Sequence, residues 1–323
     1  MKFAKAQVIA LANQKGGCGK TTSSLSLAAA FNKLGYSVAV VDTDPQCNAS
    51  SSFGIDSDVL YSEGKMTLLD AYLKKKAAID FQIDFGDRFE GRLCLVPGNK
   101  SLSSVGPRLD LEMQIQLSNP GSAEVDADDI RKEQRFRLRD SLRSLKGVHD
   151  IIIIDTPPNL DFLMTTALVA ADWFIIPVFP SGFDLQGLET LTRTVNKIRE
   201  KFNPGLNLAG VLLGNFDKSA KLDAQIHSHL TSRFGESAVF STTIGRSVRM
   251  RELTVLHRTV FEHEPAAAQA EQFLSLAKEM INRASKGQNT INPLPKIEEV
   301  LEKAAEKGSE LEITPEMLEV GNG

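Results

Sequence analysis

Four consecutive isoleucines between aspartates, DIIIID at 150–155, constrain the fold of this chain more than any other stretch. A strand with one face in water alternates apolar and polar residues, whereas a strand apolar at every residue must be covered on both faces. Other short β-rich runs share that character: VIALA at 8–12, SVAVVD at 37–42, RLCLV at 92–96, WFIIPV at 173–178, LNLAGVLL at 206–213 and AVFSTTI at 238–244. Helical patterns lie between them at 20–34, 160–171, 185–201, 220–234 and 266–284. Strand and helix in alternation predict an α/β fold, a mostly parallel twisted sheet covered by helices on both faces.

With 323 residues, 42% of them hydrophobic, the chain can bury a full core. The expected organisation is one domain over 1–285 and an acidic, partly helical tail over 286–323, where KIEEVLEKAAEKG carries Glu and Lys pairs at helical spacing. Within the domain, an acidic addition at about 107–130 reads as a loop or short helix with a flexible tip at its Asn-Pro-Gly. The three cysteines, Cys18, Cys47 and Cys94, are far apart and form no C-x-x-C pair, which argues against a disulfide framework or zinc site and fits the cytoplasm. The N-terminus does not read as a signal peptide, and no stretch approaches ~18 uninterrupted apolar residues, so a soluble protein is expected.

The chemistry concentrates in NQKGGCGKTT at 13–22. It follows a predicted strand and opens a predicted helix, the context in which a phosphate-binding loop G-x-x-x-x-G-K-[ST] is credible. Gly16, Gly17 and Gly19 let backbone N–H groups converge on phosphate oxygens, with Cys18 in the same cradle, and the new helix adds its partial positive charge. Lys20 is placed to neutralise the β and γ phosphates, the Thr21 hydroxyl to ligate Mg²⁺, and Thr22 to cap an α-phosphate oxygen. The loop departs from the pattern in two ways: Gln14 stands where the first glycine belongs, and Lys15 follows it.

K-G-G-x-G-K-T-T resembles the deviant phosphate loop of the ParA/MinD family of ATPases, most of all the ParA-type DNA partition ATPases. The resemblance implies a P-loop fold, ATP and Mg²⁺ as cofactors, and an ATP sandwich dimer in which Lys15 reaches the partner's nucleotide and stabilises leaving-group charge in trans. VVDTDPQCNAS is similar to the family's D-x-D-P-Q-x-N motif. On that match Asp44 positions the attacking water and Asp42 lies near the metal; two residues apart on a strand, both project to one side. Asp155, after the four isoleucines, matches the aspartate that holds Mg²⁺ through water. PVFPSGFDLQGL at 177–188 and GVLLGNFD at 210–217 continue the resemblance, with Asn215 the candidate reader of the adenine edge. TTIGRSVRMREL at 242–253 is similar to a further family stretch but has Gly245 in place of the usual proline and Leu253 in place of alanine. The likeness covers about 6–284.

Members of this family differ in what the ATP dimer binds. Nothing after Cys94 could supply the paired cysteines of the iron-sulfur reductases, and the acidic tail is unlike a basic amphipathic membrane anchor, so no membrane partner is expected. Although the net charge is -4, residues 193–258 carry eleven Lys and Arg against five Asp and Glu. Lys218, Lys221, Arg246, Arg249, Arg251 and Arg258 have few aromatics among them, which suits phosphate contacts better than base stacking. The stripe Arg131, Arg135, Arg139, Arg143 reads instead as the solvated face of a helix covering the sheet. Because the core begins near residue 1, the operator-binding N-terminal domain of longer relatives is expected to be absent and DNA binding to be non-specific. The resulting expectation is a nucleoid-associated ATPase that forms an ATP-dependent homodimer and is stimulated by a ParB-like or other cargo-linked partner. A small-molecule ATP-dependent ligase of the same fold and a nucleotide switch acting on protein partners remain the alternatives.

Overall fold

The computed structural model of the chain describes residues 5–89, 92–118, 126–247, 250, 252–253, 256–263 and 267–285. One sheet contains β1 (Gln7–Leu11), β2 (Val38–Asp42), β3 (Ile83–Asp84), β4 (Leu93–Val96), β5 (Ile151–Asp155), β6 (Trp173–Val178) and β7 (Asn207–Leu213), in the spatial order β3-β4-β2-β5-β1-β6-β7. Every pairing is parallel except that of the two-residue edge strand β3, which runs antiparallel to β4.

The argument from DIIIID holds residue by residue. Ile152 and Ile154 enter one hydrophobic cluster with Val8, Ala10, Ala39 and Val41; Ile151 and Ile153 enter the other with Ile9, Leu11, Val38 and Val40. All four isoleucines are fully buried. At roughly 1.5–3 kcal/mol for each fully buried aliphatic side chain, β5 alone contributes on the order of 10 kcal/mol of apolar burial, an upper bound because the unfolded chain already hides some of that surface.

The helices in chain order are α1 (Lys20–Lys33), α2 (Asn48–Ser52), α3 (Ser57–Ser62), α4 (Leu68–Lys74), α5 (Val105–Ser118), α6 (Ala127–Leu142), α7 (Phe162–Ala170), α8 (Leu185–Lys201), α9 (Lys221–Phe234), α10 (Val260–His263) and α11 (Ala268–Ser285). Helices α4 to α9 pack on the face that receives Ile152 and Ile154, while α1, α10 and α11 cover the other. The buried small residues of α1, among them Ser23, Ser24, Ser26 and Ala28, let it lie close between the sheet and α11. Helix α8 occupies the span its pattern predicts. Asp184 caps it by accepting from the Gly187 N–H at 3.0 Å, and Leu188, Leu191, Val195 and Ile198 form its buried stripe. Among the described residues no helix is long and apolar enough to cross a membrane.

Two expectations need correction. The run AVFSTTI at 238–244 does not form a strand; it touches its neighbours through isolated bridges, Val211 to Val239 and Phe216 to Gly245. Phe240 and Ile244 donate from their N–H groups to the Val211 and Leu213 carbonyls of β7, and side chains of α11 take up others of its backbone groups. Glu279 accepts from the N–H groups of Ser241 and Thr242, both at 3.1 Å, and Arg283 donates to the carbonyls of Ser237 at 2.7 Å and Val239 at 3.0 Å. The acidic addition takes the helical one of its two readings. Leu109 and Met113, four residues apart, are buried and make 105–118 a helix, tied to α6 by a two-pronged pair between Glu112 and the buried Arg137. Its tip, 119–125, lies outside the described residues, as does the tail at 286–323. Finally, the arginine stripe of α6 is not uniformly solvated: the Arg135 guanidinium lies 4.8 Å from the centre of the Phe162 ring, and its Nη1 is buried.

Candidate functional site

The strand register brings the site together. Leu11, Asp155 and Asp42 are mutual partners across β1, β5 and β2, so these three strands finish level, and the loop from Ala12 to Gly19 rises from the end of β1. The chain turns to opposite sides of the sheet around β1, with β5 on one flank and β6 on the other, and in open α/β sheets ligands bind at such a switch point.

Within the loop, Gly17 and Gly19 have φ of 71° and 81°, a left-handed region that L side chains rarely adopt. The Asn13 side chain pins the entrance, accepting from the Lys15 N–H at 3.0 Å and donating to the Pro177 carbonyl at 2.6 Å. Lys20 is 7% exposed, and its ammonium turns back into the loop to donate to the Lys15 carbonyl at 2.8 Å. Cys18 is buried and donates from its thiol to the same carbonyl at 3.2 Å; burial pushes that thiol above its ordinary pKa against the influence of Lys20. The side chain of Lys15, by contrast, is exposed on the rim. The two loop lysines therefore occupy different environments, one enclosed and one facing outwards.

Asp155 ends β5 and holds the first turn of α1. The Thr21 hydroxyl donates to one carboxylate oxygen at 2.7 Å and the Ser24 hydroxyl to the other at 2.8 Å. Asp42, in register beside it, accepts from the Ser50 N–H at 2.8 Å, from the Ser50 hydroxyl at 2.7 Å and from the Asp44 N–H at 3.2 Å. Asp44 is 6% exposed and accepts from the Gln46 N–H at 2.9 Å. All three acids are held above the usual carboxylate range. Burial drives each shift, taking Asp42 to about 7, with the charge of Asp155 adding to it, and Asp155 to about 6 against the Thr21 and Ser24 hydroxyls. Asp44 is raised by burial against the Gln46 N–H and the charge of Lys20. Among the described residues the three acids do not converge as a ready-made metal cluster; the paired hydroxyl of Thr21 and carboxylate of Asp155 are oxygen donors of the kind a hard divalent cation takes.

Of the residues the sequence singles out, the fold gathers Gly16 to Thr22, Asp42, Asp44 and Asp155 at one end of the sheet. Asn215 stands at the end of β7 on the β6 side, with φ 50°, and its carbonyl accepts from Arg246 Nε at 3.4 Å. Lys218, Lys221 and Arg258 are exposed. Arg246 is already engaged by Asp223, at 3.3 Å from a carboxylate that is nearly fully buried. Arg249 and Arg251 lie outside the described residues. Sequence reasoning missed Ser24 and Ser50. Ser24 was within reach, since it stands three residues, one helical turn, beyond Thr21.

A family model described as an AAA domain matches residues 6–208. The chain is similar to the chromosome-partitioning ATPase Soj of Thermus thermophilus, with 34% identity over 283 residues, 88% of this chain and 98% of that protein. It is 31% identical over 279 residues to the chromosome partitioning protein ParA of Caulobacter vibrioides, covering 86% of this chain and 94% of that protein. A solved structure of cobyrinic acid a,c-diamide synthase from Mycobacterium smegmatis, with bound ATP analog and magnesium, has a TM-score of 0.68 at 24% identity, covering 90% of this chain and 99% of that one. That last likeness speaks to the fold alone.

Proposed function

The chain belongs to the ParA/MinD family of P-loop ATPases, and we propose that it hydrolyses ATP to ADP and phosphate in an ATP-closed homodimer that binds DNA non-specifically and is stimulated by a cargo-linked partner protein. The observation that carries the nucleotide reading is the contact of Thr21 with Asp155 beside an enclosed Lys20. A helix N-terminus, a buried ammonium and a hydroxyl held by a carboxylate meet there, which is what a Mg²⁺-triphosphate requires.

In this reading the backbone of Gly16 to Thr22 cradles the phosphates and Lys20 leaves the Lys15 carbonyl to neutralise the β and γ oxygens. Thr21 and, through water, Asp155 would hold Mg²⁺, with Asp42 beside them; the bound ion supplies charge neutralisation to the phosphate oxygens. Asp44, close enough to feel the charge of Lys20 and fixed by the Gln46 N–H, orients the attacking water. The exposed Lys15 acts on the nucleotide of a second copy, so hydrolysis depends on dimerisation. Asn215 reads the base. Lys218, Lys221 and Arg258 supply DNA phosphate contacts, with Arg246, Arg249 and Arg251 as further members of the set. A ParB-like activator and a place on the nucleoid follow from the same reading. Relatives above 30% identity over most of their length are named for chromosome partitioning, which favours this reading over a small-molecule ligase.

Sedimentation with unrelated duplex DNA tests it. The parent should co-sediment with DNA in ATP and not in ADP, and log affinity should fall with log salt by ~0.9 per neutralised phosphate. Asp44→Ala should keep ATP binding and DNA co-sedimentation while losing roughly a hundredfold in hydrolysis. Absence of ATP-dependent DNA binding by the parent would remove the partition reading and leave a switch acting on proteins.

A further inference from the structure

Two glycines at opposite ends of the candidate nucleotide site converge on one aromatic ring. Gly19 closes the phosphate loop, and Gly214 opens the turn that carries Asn215. A Cβ on Gly214 would lie 2.5 Å from Cε1 of Phe179, and one on Gly19 would collide with Cζ and Cε1 of the same ring. Gly19 is left-handed, so its backbone alone accounts for the missing side chain. Gly214 is not among the positive-φ glycines, and there the ring is what an added side chain would meet.

The backbone leading into Phe179 is held on two sides. The carbonyl of Val178, just before it, accepts from the Gly214 N–H at 2.9 Å, and the carbonyl of Pro177 accepts from the Asn13 side chain at 2.6 Å. The ring is half-buried and lines a cleft shared with Lys15, Cys18, Phe183 and Asp184. It acts as a spacer packed directly on two backbones, one that would hold phosphates and one that would hold a base.

Resting on the nucleotide reading above, we propose that Phe179 is a positioning residue that sets the separation between the phosphate and base halves of the site, and so lets the chain favour a nucleoside triphosphate over a bare polyphosphate. A ligand with two recognised ends gains from the second end only when its receptor holds both at the right distance in advance. Removing the ring leaves a void against Gly214 and slackens the turn that presents Asn215. The groups assigned to the phosphates, Lys20 and Thr21, keep their own contacts with Lys15 and Asp155.

The test measures binding of Mg²⁺-ATP and of Mg²⁺-tripolyphosphate, which lacks ribose and base, to the full chain and to Phe179→Ala, Phe179→Leu, Gly214→Ala and the Phe179→Ala/Gly214→Ala double variant, with folding followed by circular dichroism. Phe179→Ala should weaken ATP at least about tenfold and tripolyphosphate less than about threefold, with Phe179→Leu in between. Gly214→Ala should cost about tenfold or more for ATP in the parent and less than about twofold in the Phe179→Ala background, because the clash it creates is with the ring. Equal losses for the two probes, or an equal cost of Gly214→Ala in both backgrounds, would overturn the proposal. If Phe179→Ala does not fold, the leucine variant combined with Gly214→Ala gives the same cycle. A parent that binds neither probe would instead overturn the nucleotide reading on which the proposal rests.

Discussion

Two sets of acids in this molecule, the buried aspartates at the strand ends and the half-buried Glu279 on α11, lie on opposite sides of the ordinary carboxylate range. At the ends of β2 and β5, burial pushes Asp42 up to about 7 and Asp155 up to about 6. On α11, burial pushes Glu279 the same way, yet the Ser241 N–H, the Arg283 guanidinium and the Thr242 hydroxyl together hold it below the usual range. Glu279 is answered in full by donors of its own chain and serves as an anchor for 238–244. The aspartates are answered only in part, and burial keeps them above that range.

The largest effect should come from removing the one ammonium enclosed with the aspartates. Lys20→Ala should lower ATP affinity by more than about a hundredfold, read by calorimetric titration. Lys15→Ala, altering the exposed lysine, should bind ATP far better than that variant but fail to accumulate the ATP dimer in analytical ultracentrifugation. Equal losses would erase the distinction between the two loop lysines.

At the other region, Arg283→Ala should destabilise the protein by roughly 2–4 kcal/mol in urea titration. It removes charged donors from the carbonyls of Ala209, Ser237 and Val239 and a cation stacked 4.4 Å from the centre of the Phe240 ring. A milder change with the opposite sign is expected for Asp155→Asn. The hydroxyls of Thr21 and Ser24 can reorient toward an amide, and the buried charge disappears. Nucleotide-free protein should gain about 1 kcal/mol, while the thermal shift produced by Mg²⁺-ATP should collapse. Loss of nucleotide-free stability in this variant would break the comparison.

The smallest effect is a difference in pH dependence. The folded pKa of Glu279 lies below its unfolded value, so its contribution is complete above the unfolded carboxylate range and fades as pH falls through the folded value. Denaturation curves of the parent and Glu279→Gln should differ most near neutrality and draw together in acid. A gap that widens on acidification would show that Glu279 is not held as the anchoring geometry requires.

Much of the sheet was legible in the sequence because its strands are buried on both faces and advertise this at every residue. The meeting of Thr21 and Asp155, 134 positions apart, was legible because two motifs each mark the end of a strand. What escaped notice depends on partners remote in sequence. The close approach of Phe179 is marked in the sequence only by Gly214, and a glycine does not name the ring packed against it. AVFSTTI has strand composition, but Glu279 and Arg283, some forty residues later, bind some of the backbone groups a ladder would have used. Arg246 looked like one of a row of cations until its carboxylate, Asp223, came into view on α9.

The four isoleucines of β5 carry a further consequence. A one-residue slip in a strand ordinarily exchanges its inner and outer faces, and packing resists it. In this strand a slip in either direction puts an isoleucine where an isoleucine was at three of the four positions, so the core is nearly indifferent to it except at the fourth, which would receive Asp150 or Asp155. The ends are not: Asp150 accepts from the Ser37 N–H at 2.9 Å at one end, and Asp155 receives Thr21 and Ser24 at the other. Shortening the run by a single isoleucine would draw the two ends together by ~3.3 Å, so one of the aspartates would lose its partners. The length of this strand is therefore set chiefly by its polar termini, and an indel here should cost one aspartate the contacts it makes.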